Sequence, residues 1–303
     1  MNSSCLRRAA LMFLLSSPLA LIAQQAAETD GEWKPVESAL GRSGQMQPGG
    51  VFKFSMPRKD LTVTKDGVKI APGLALGSWA AFKQEGSHAM VMGDLVLTED
   101  EVEPVMMSLQ QHGIEQTGIH NHLIGEQPHV MYMHIEGQGE AATLAKSLAA
   151  ALALTKTPGA SPAAPAQAAP LGFDQAAVEK AMGYSGKVNG GILQFTVPRA
   201  EKIMEHGMEI PPAMGTATGI NFQPTGGGKA AISGDFVLLA AEVNPVIRAL
   251  RNHGIEVEAV HNHMLGDEPH MYFMHFWAND DAVKLATGLR SALDATNSQK
   301  AKT

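Results

Sequence analysis

Apolar residues along the chain follow two periods. Val51–Met56 and Ile192–Val197 alternate apolar with polar positions, the two-residue period of a half-buried strand. Further strands are predicted around Leu76–Lys83 and Ala89–Leu97, with a glycine-bearing turn between them. The period then lengthens. Val102, Val105, Met106 and Leu109 recur at helical spacing, as do Val243, Val246, Ile247 and Leu250. Pro104 and Pro245 fall near the first turn of these helices, and Gly113 and Gly254 end them. A shorter helix is predicted over Pro35–Leu40 and again over Asp174–Met182, closed by Gly41 or Gly183. After the long helix, two strands form a hairpin through Gly125-Glu126-Gln127-Pro128 or its counterpart. A last helix, Glu140–Leu152 or Asp280–Leu293, lays its apolar face on the sheet. Helices packed on a mainly antiparallel sheet make this an α+β fold.

The whole pattern occurs twice. Shifted by 141 residues, Gly93–His134 falls on Gly234–His275 without a gap, and 21 of the 42 positions are identical. Upstream, GGVFKFSMPR (residues 49–58) meets GGILQFTVPR (residues 190–199). The chain therefore reads as two homologous modules, residues 33–154 and 173–296, joined by an alanine- and proline-rich linker over residues 155–172. The modules are expected to superpose and to pack about a pseudo-twofold axis, since the duplicated apolar faces would otherwise be half covered.

With 45% apolar and 17% charged residues in 303, each module can bury a core of its own. The net charge of −7, with no cluster of lysine and arginine, excludes a nucleic-acid binder. Residues 1–23 read as a signal peptide: Arg7 and Arg8 precede an uncharged apolar stretch, Ala9–Ala23, that is short for a spanning helix of ~20 residues. An uncleaved anchor is the alternative. Cys5 precedes that stretch, which argues against lipid attachment there. Cleavage would leave a cysteine-free chain without disulfides or a membrane span, periplasmic or secreted.

Ten of the twelve histidines are duplicated: His112/His253, His120/His261, His122/His263, His129/His270 and His134/His275. His120-Asn121-His122 puts two imidazoles at i and i+2 on a strand, where side chains on one face recur every second residue. A hairpin in the right register brings His134 beside them. Three imidazoles with one position left for water are the ligand set of a catalytic zinc site, and the same reading holds for His261, His263 and His275. Glu126 in one loop, or Asp267 and Glu268 in the other, is the candidate fourth ligand or catalytic, proton-handling carboxylate. The competing reading is structural, with buried histidines bonded to backbone or to one another. His112 and His253 close helices and read as structural. Gly93-Asp94 and Gly234-Asp235 sit within a strand or at a bend of one, with a turn role favoured over catalysis, and Met90, Met92, Met106, Met107, Met131 and Met133 read as core. Glu101, three residues after Thr98, reads as half of a capping box; Glu242 follows Leu239 instead, so capping does not account for both copies.

The block HNHMLGDEPHMYFMHFWANDDAV (residues 261–283), its first-copy partner and the two-repeat layout resemble the LppY/LpqO family of exported bacterial proteins. The resemblance covers nearly the whole mature chain. It implies export and a cell-envelope setting, supplies no catalytic assignment, and makes His129 and His270 the least favoured ligands. The sequence thus points to an exported metal-binding protein with one zinc-like divalent site per module, in its finer form a metal-dependent hydrolase. The alternative is a non-catalytic envelope module. In either case the partner is a small molecule or an envelope component.

Overall fold

The computed structural model describes residues 32–159 and 170–300. The leader expected over residues 1–23 lies outside the described residues, as does most of the expected linker, residues 160–169. The first module comprises α1 (residues 32–40), β1 (Gln45–Gln47), β2 (Val51–Pro57), β3 (Thr64–Lys65), β4 (Val68–Lys69), β5 (Gly77–Glu85), β6 (His88–Thr98), α2 (Glu99–Gln111), β7 (Glu115–His120), β8 (Val130–Gly139) and α3 (Ala141–Leu152). The second repeats the order: α4 (Gln175–Met182), β9 (Lys187–Asn189), β10 (Ile192–Pro198), β11 (Met204–Glu205), β12 (Met208–Glu209), β13 (Ala217–Gly226), β14 (Lys229–Leu239), α5 (Ala240–Asn252), β15 (Glu256–His261), β16 (Met271–Asp281) and α6 (Ala282–Leu293). Among the described residues, no helix is long and apolar enough to cross a membrane.

Each module holds one six-stranded antiparallel sheet, ordered β1-β2-β5-β6-β8-β7 in the first and β9-β10-β13-β14-β16-β15 in the second. The protein is thus an α+β fold of two tandem modules. The strand after the hairpin loop inserts between its neighbours, so β8 runs between β6 and β7, and His134 sits level with Asp94 on one side and Gly118 on the other.

Both faces of each sheet are covered, by different means. In the second module one face meets the helices: Val178, Met182, Val246, Leu250, Leu285 and Leu289 pack on Phe195, Phe222, Phe236 and Phe276. The opposite face meets the other module. Met90, Met92 and Ala81 pack with Ile203, Met208, Ile210 and Met214, while Ala231 and Trp277 pack with Val63, Ile70, Leu74 and Leu76. This is why β6 is buried almost without interruption, whereas β2 keeps alternation. The polar contacts are reciprocal as well. Lys53 Nζ donates to Ala213 O (2.8 Å) and Gln194 Nε2 to Gly73 O (3.2 Å); Lys83 Nζ donates to Glu209 O (3.0 Å) and Gln223 Nε2 to Lys69 O (2.7 Å). When i meets j′ and i′ meets j, the two copies are related by a twofold.

Three expectations need correction. Gly93-Asp94 and Gly234-Asp235 are not bends: they lie inside β6 and β14, in unbroken register with β8 and β16. The glycine is required by crowding, since a Cβ at Gly93 would stand 2.8 Å from Trp79 O and one at Gly234 2.0 Å from Gly219 O. Met107 lies on the outer face of α2, 50% exposed. Glu101 and Glu242 share one role after all. Each accepts from the backbone N–H that precedes its helix (Thr98, 3.0 Å; Leu239, 2.8 Å), and each pairs with a buried arginine. Arg58 Nη1 reaches Glu101 Oε2 at 2.7 Å and Val96 O at 2.7 Å; Arg199 Nη1 reaches Glu242 Oε2 at 2.6 Å and Val237 O at 3.0 Å. The pair is common to both copies because it ties the end of β2 or β10, a central strand and the helix start to one point.

Removing the cation from such a node leaves a carboxylate without its partner, which typically costs ~3–5 kcal/mol. Arg58→Met should lower the unfolding free energy by about that amount in urea titration. A loss below ~1 kcal/mol would show that the node does not anchor the module.

Candidate metal centre

The hairpin register brings the three first-module imidazoles together. His120 is the last residue of β7, opposite Tyr132 on β8, and His134 lies two residues further along β8. A register shift between Gln116 and Gly118 re-aims the end of β7 toward the module interface. His122 is beyond the strand, so the i, i+2 argument does not place it; its ring lies flat on Tyr132, with centroids 3.3 Å apart. In the second module His263 lies in the same way on Phe273, at 3.7 Å.

The two sets do not form two sites. Because this face of each sheet meets the other module, the rings interleave in a single box. His120 stacks on His261 (3.6 Å), His122 on His275 (3.7 Å) and His134 on His263 (3.7 Å). Three trios offer nitrogens within 4.8 Å of one another: His120–His122–His134, His120–His261–His275 and His134–His261–His263. Two of them draw on both modules. Any two trios share a member, so only one of them could be filled at a time, whereas the repeat led to the expectation of one site per module.

Hydrogen bonding fixes where the lone pairs point. His261 Nδ1 lies 3.2 Å from Asn262 O and His275 Nδ1 lies 2.9 Å from Gly234 O. Carbonyl oxygens only accept, so both Nδ1 atoms carry the proton. In the neutral rings both Nε2 atoms are then bare, yet they face each other at 2.8 Å. Two lone pairs at that distance repel, and a cation shared by them would relieve the repulsion. A proton is a poor candidate. Burial, with the neighbouring imidazoles, pushes the pKa of His261 down to about 2, and burial takes that of His275 down to about 3 even with Asp235 opposing it. His120 and His134 meet through Nε2 at 2.6 Å, and His120 Nδ1 lies 3.1 Å from Asn121 O. Backbone carbonyls that hold Nδ1–H and leave Nε2 free are the usual support of metal-bound histidine. Tetrahedral zinc at ~2.0–2.1 Å places neighbouring nitrogens ~3.3–3.4 Å apart, so the rings would separate by about half an ångström on binding.

Two carboxylates face the box that the sequence did not put there. Asp94 Oδ2 is 3.9 Å from His122 Nε2, and Asp235 Oδ2 is 3.2 Å from His263 Nε2 without hydrogen-bond alignment. Asp94 Oδ1, Asp235 Oδ1, His122 Nε2, His134 Nδ1 and His263 Nε2 are all buried without a hydrogen-bond partner. Burial raises both aspartates, Asp94 further through the charge of Asp235. Lys53, over the Trp79 ring at 4.0 Å, is a nearby cation, and burial lowers it to about 8. The residues fit a divalent cation: bare imidazole nitrogens, orphaned carboxylate oxygens and little positive charge. One sequence signal pointed to these aspartates, an acid at the same place within an apolar strand in both copies.

The expected loop carboxylates serve their own loops. Glu126 Oε1 accepts from Val130 N (3.3 Å) and lies 3.7 Å from His129 Nδ1. Asp267 accepts from Met271 N (2.7 Å) and pairs with His270 Nδ1 (2.8 Å). Glu268 is exposed and pairs through its backbone with Met204. None of the three joins a trio. His112 and His253 donate from Nδ1 to Ser108 O (2.7 Å) and Ala249 O (2.8 Å), as structural ends of their helices. His129 and His270 are exposed.

All six imidazoles are held below the ordinary histidine value, chiefly by burial. Below about pH 6.5 the unfolded chain takes up protons that the folded one refuses, so stability present above that pH is lost as the pH falls. Asp94, Asp235, Glu136 and Glu258 are raised and act in the opposite sense, four groups against six. Metal-free protein should therefore lose stability from pH 7 to pH 5, by ~1.4 kcal/mol per pH unit for each proton of difference. Calorimetric melts in chelator measure this, and a Tm that stays level over that range would contradict a neutral buried box.

The comparisons add a family. No curated protein matches the chain. Two solved structures are similar over most of their length. One is a trimeric bacterial microcompartment shell protein, PduB, at 12% identity, covering 83% of this chain and 89% of that one, with a TM-score of 0.20. The other is EtuB from Clostridium kluyveri, at 7% identity, covering 83% and 91%, also with a TM-score of 0.20. Likenesses that weak support no argument about fold or function. The model of one protein family matches both modules, over residues 34–154 and 176–295, and the chain belongs to that family, described as a Domain of Unknown Function (DUF1259).

Proposed function

We propose that the protein binds one zinc-like divalent ion in the shared histidine box. The observation that carries this reading is the pair His261 and His275, whose bare Nε2 atoms face each other at 2.8 Å with both Nδ1 protons on carbonyls. Imidazole donors suit zinc, copper, iron and nickel better than calcium or magnesium. The apolar leader, the absence of cysteine beyond it and the likeness to LppY/LpqO proteins favour an exported, periplasmic or secreted setting. A fractionation that leaves the full chain in the cytoplasm would reject it.

Phenylalanine keeps the ring contacts while removing the nitrogens, so His120→Phe/His261→Phe and His134→Phe/His275→Phe, each of which breaks all three trios, separate ligation from packing. Wild-type protein should gain about 2.7 kcal/mol of stability at a hundredfold excess of zinc over Kd. The variants should gain much less. Zinc that leaves the wild-type Tm unchanged would support the competing reading, in which the stacked imidazoles only pack the two sheets together.

The finer reading is hydrolysis. Three nitrogen ligands leave one position for water, and a bound divalent metal lowers the pKa of that water toward ~7. What supports it is the pair of aspartates facing the box, Asp94 buried and Asp235 half-buried, of which Asp235 stands 3.2 Å from His263. Asp235→Asn should then retain zinc and slow zinc-dependent hydrolysis of a p-nitrophenyl ester or phosphate by ~10²–10⁴-fold, the usual worth of a general base. An unchanged rate would remove the aspartate from the chemistry.

A further inference from the structure

The two-residue strands β3–β4 and β11–β12 form small hairpins at equivalent places in the modules, and each hairpin leans on the other module. Their turns are Asp66-Gly67 and His206-Gly207, with φ of 50° and 78° in one and 51° and 79° in the other. That is the backbone of a type I′ turn, which aspartate and histidine tolerate at the first position better than most residues. Each hairpin is tied back to a proline loop in the same manner: Thr64 exchanges both backbone hydrogen bonds with Gln127, and Met204 does so with Glu268. Each turn then touches equivalent residues of the opposite module. Asp66 Oδ2 accepts from Trp277 Nε1 at 2.9 Å, and His206 Nε2 lies 3.0 Å from Glu136 Oε1.

The two seams differ in charge. In the first, Lys65 supplies a buried ammonium. It donates to Ile124 O at 2.7 Å and lies 3.5 Å from Glu258 and 3.9 Å from Glu256, all across or beside the seam. In the second, glutamate stands at the lysine position (Glu205) and glutamate replaces the tryptophan (Glu136). Their side chains are 1% and 7% exposed. Glu205 Oε1 accepts from Gly266 N at 3.1 Å, while Glu205 Oε2 is buried with no hydrogen-bond partner. Two neighbouring carboxylates stand where the twin seam holds a cation.

We propose that Glu136, Glu205 and His206 form a second divalent-cation site, separate from the histidine box, that joins the two modules. Their ligand atoms lie within 4.8 Å of one another, and the half-exposed His206 ring leaves the outer side open to water. Two carboxylates and one imidazole suit manganese, iron or zinc better than calcium, which takes six to eight oxygen ligands. A divalent ion would neutralise both acids, as Lys65 offsets its glutamates in the other seam.

Manganese alone is the probe, with full-length protein stripped by chelator and followed by calorimetry and by loss of the free-ion paramagnetic signal. Wild-type protein should bind one manganese ion at this site, and the box variant His134→Phe/His275→Phe, which breaks all three imidazole trios, should retain it. Glu136→Gln/Glu205→Gln should lose more affinity than the ~10–100-fold that follows loss of an outer-shell partner. His206→Asn, which keeps a residue suited to the left-handed turn, should weaken binding in the same direction and decides the matter if the double variant does not fold. Manganese affinity equal to wild type in the seam variants would overturn the proposal. So would a wild-type protein that binds no manganese, which would leave the two acids as a proton-sharing pair.

Discussion

The structure depends on burying six imidazoles between two sheets without charging them. Most of the sheet–sheet contact is ordinary apolar packing, with methionine, valine and phenylalanine from both modules. At its centre the rings of one module alternate with those of the other, and each outer ring rests on an aromatic of its own module, Tyr132 or Phe273. Neutral imidazole stacks well, whereas a protonated ring at the place of His120 or His261 would meet four neighbours of the same kind. The box is therefore stable as a set of lone-pair donors, the protonation state that a metal ion requires. Packing and ligation ask the same thing of these residues.

The twofold arrangement explains why the site is single. A duplicated module suggests two centres, and each module does carry a full set of three histidines. When the faces that hold those sets become the interface, however, the sets merge. His120 and His261 stack on one another across the pseudo-axis, and the possible ligand groups overlap in membership. The chain can serve one ion from six nitrogens. The symmetry also exposes where the copies have diverged. Positions that differ between the halves at the seam, Lys65 against Glu205 and Trp277 against Glu136, change a compensated charge into an uncompensated one. That divergence is informative because the backbone around it, down to the left-handed turns, is the same in both halves.

Much of the fold was legible in the residues. The repeat, the change from two-residue to helical period, the glycines that close the helices and the antiparallel character of the sheet are local properties, and local geometry expresses them directly. The histidine positions were legible too, since a shift of 141 residues displays them. The roles of other residues were not. Glu126 and Asp267 sit two loop turns from the histidines in sequence, yet their oxygens bind the N–H groups of Val130 and Met271 at the start of the next strand. Asp94 and Asp235 are about thirty residues away in the chain and face the imidazoles only because β8 and β16 insert beside β6 and β14.

By itself, the sequence determined the two modules, their element order and the set of histidines on the hairpins. Those follow from periodicity and from comparison of one half with the other, and they need no knowledge of what lies across space. Tertiary structure alone decided how many sites the histidines make, which carboxylates accompany them and which seam lacks a cation. Each of these depends on which face of one sheet meets which face of the other. Periodicity shows that a face is apolar, but it carries no record of the partner that covers it, and here the partner is the second copy of the same module.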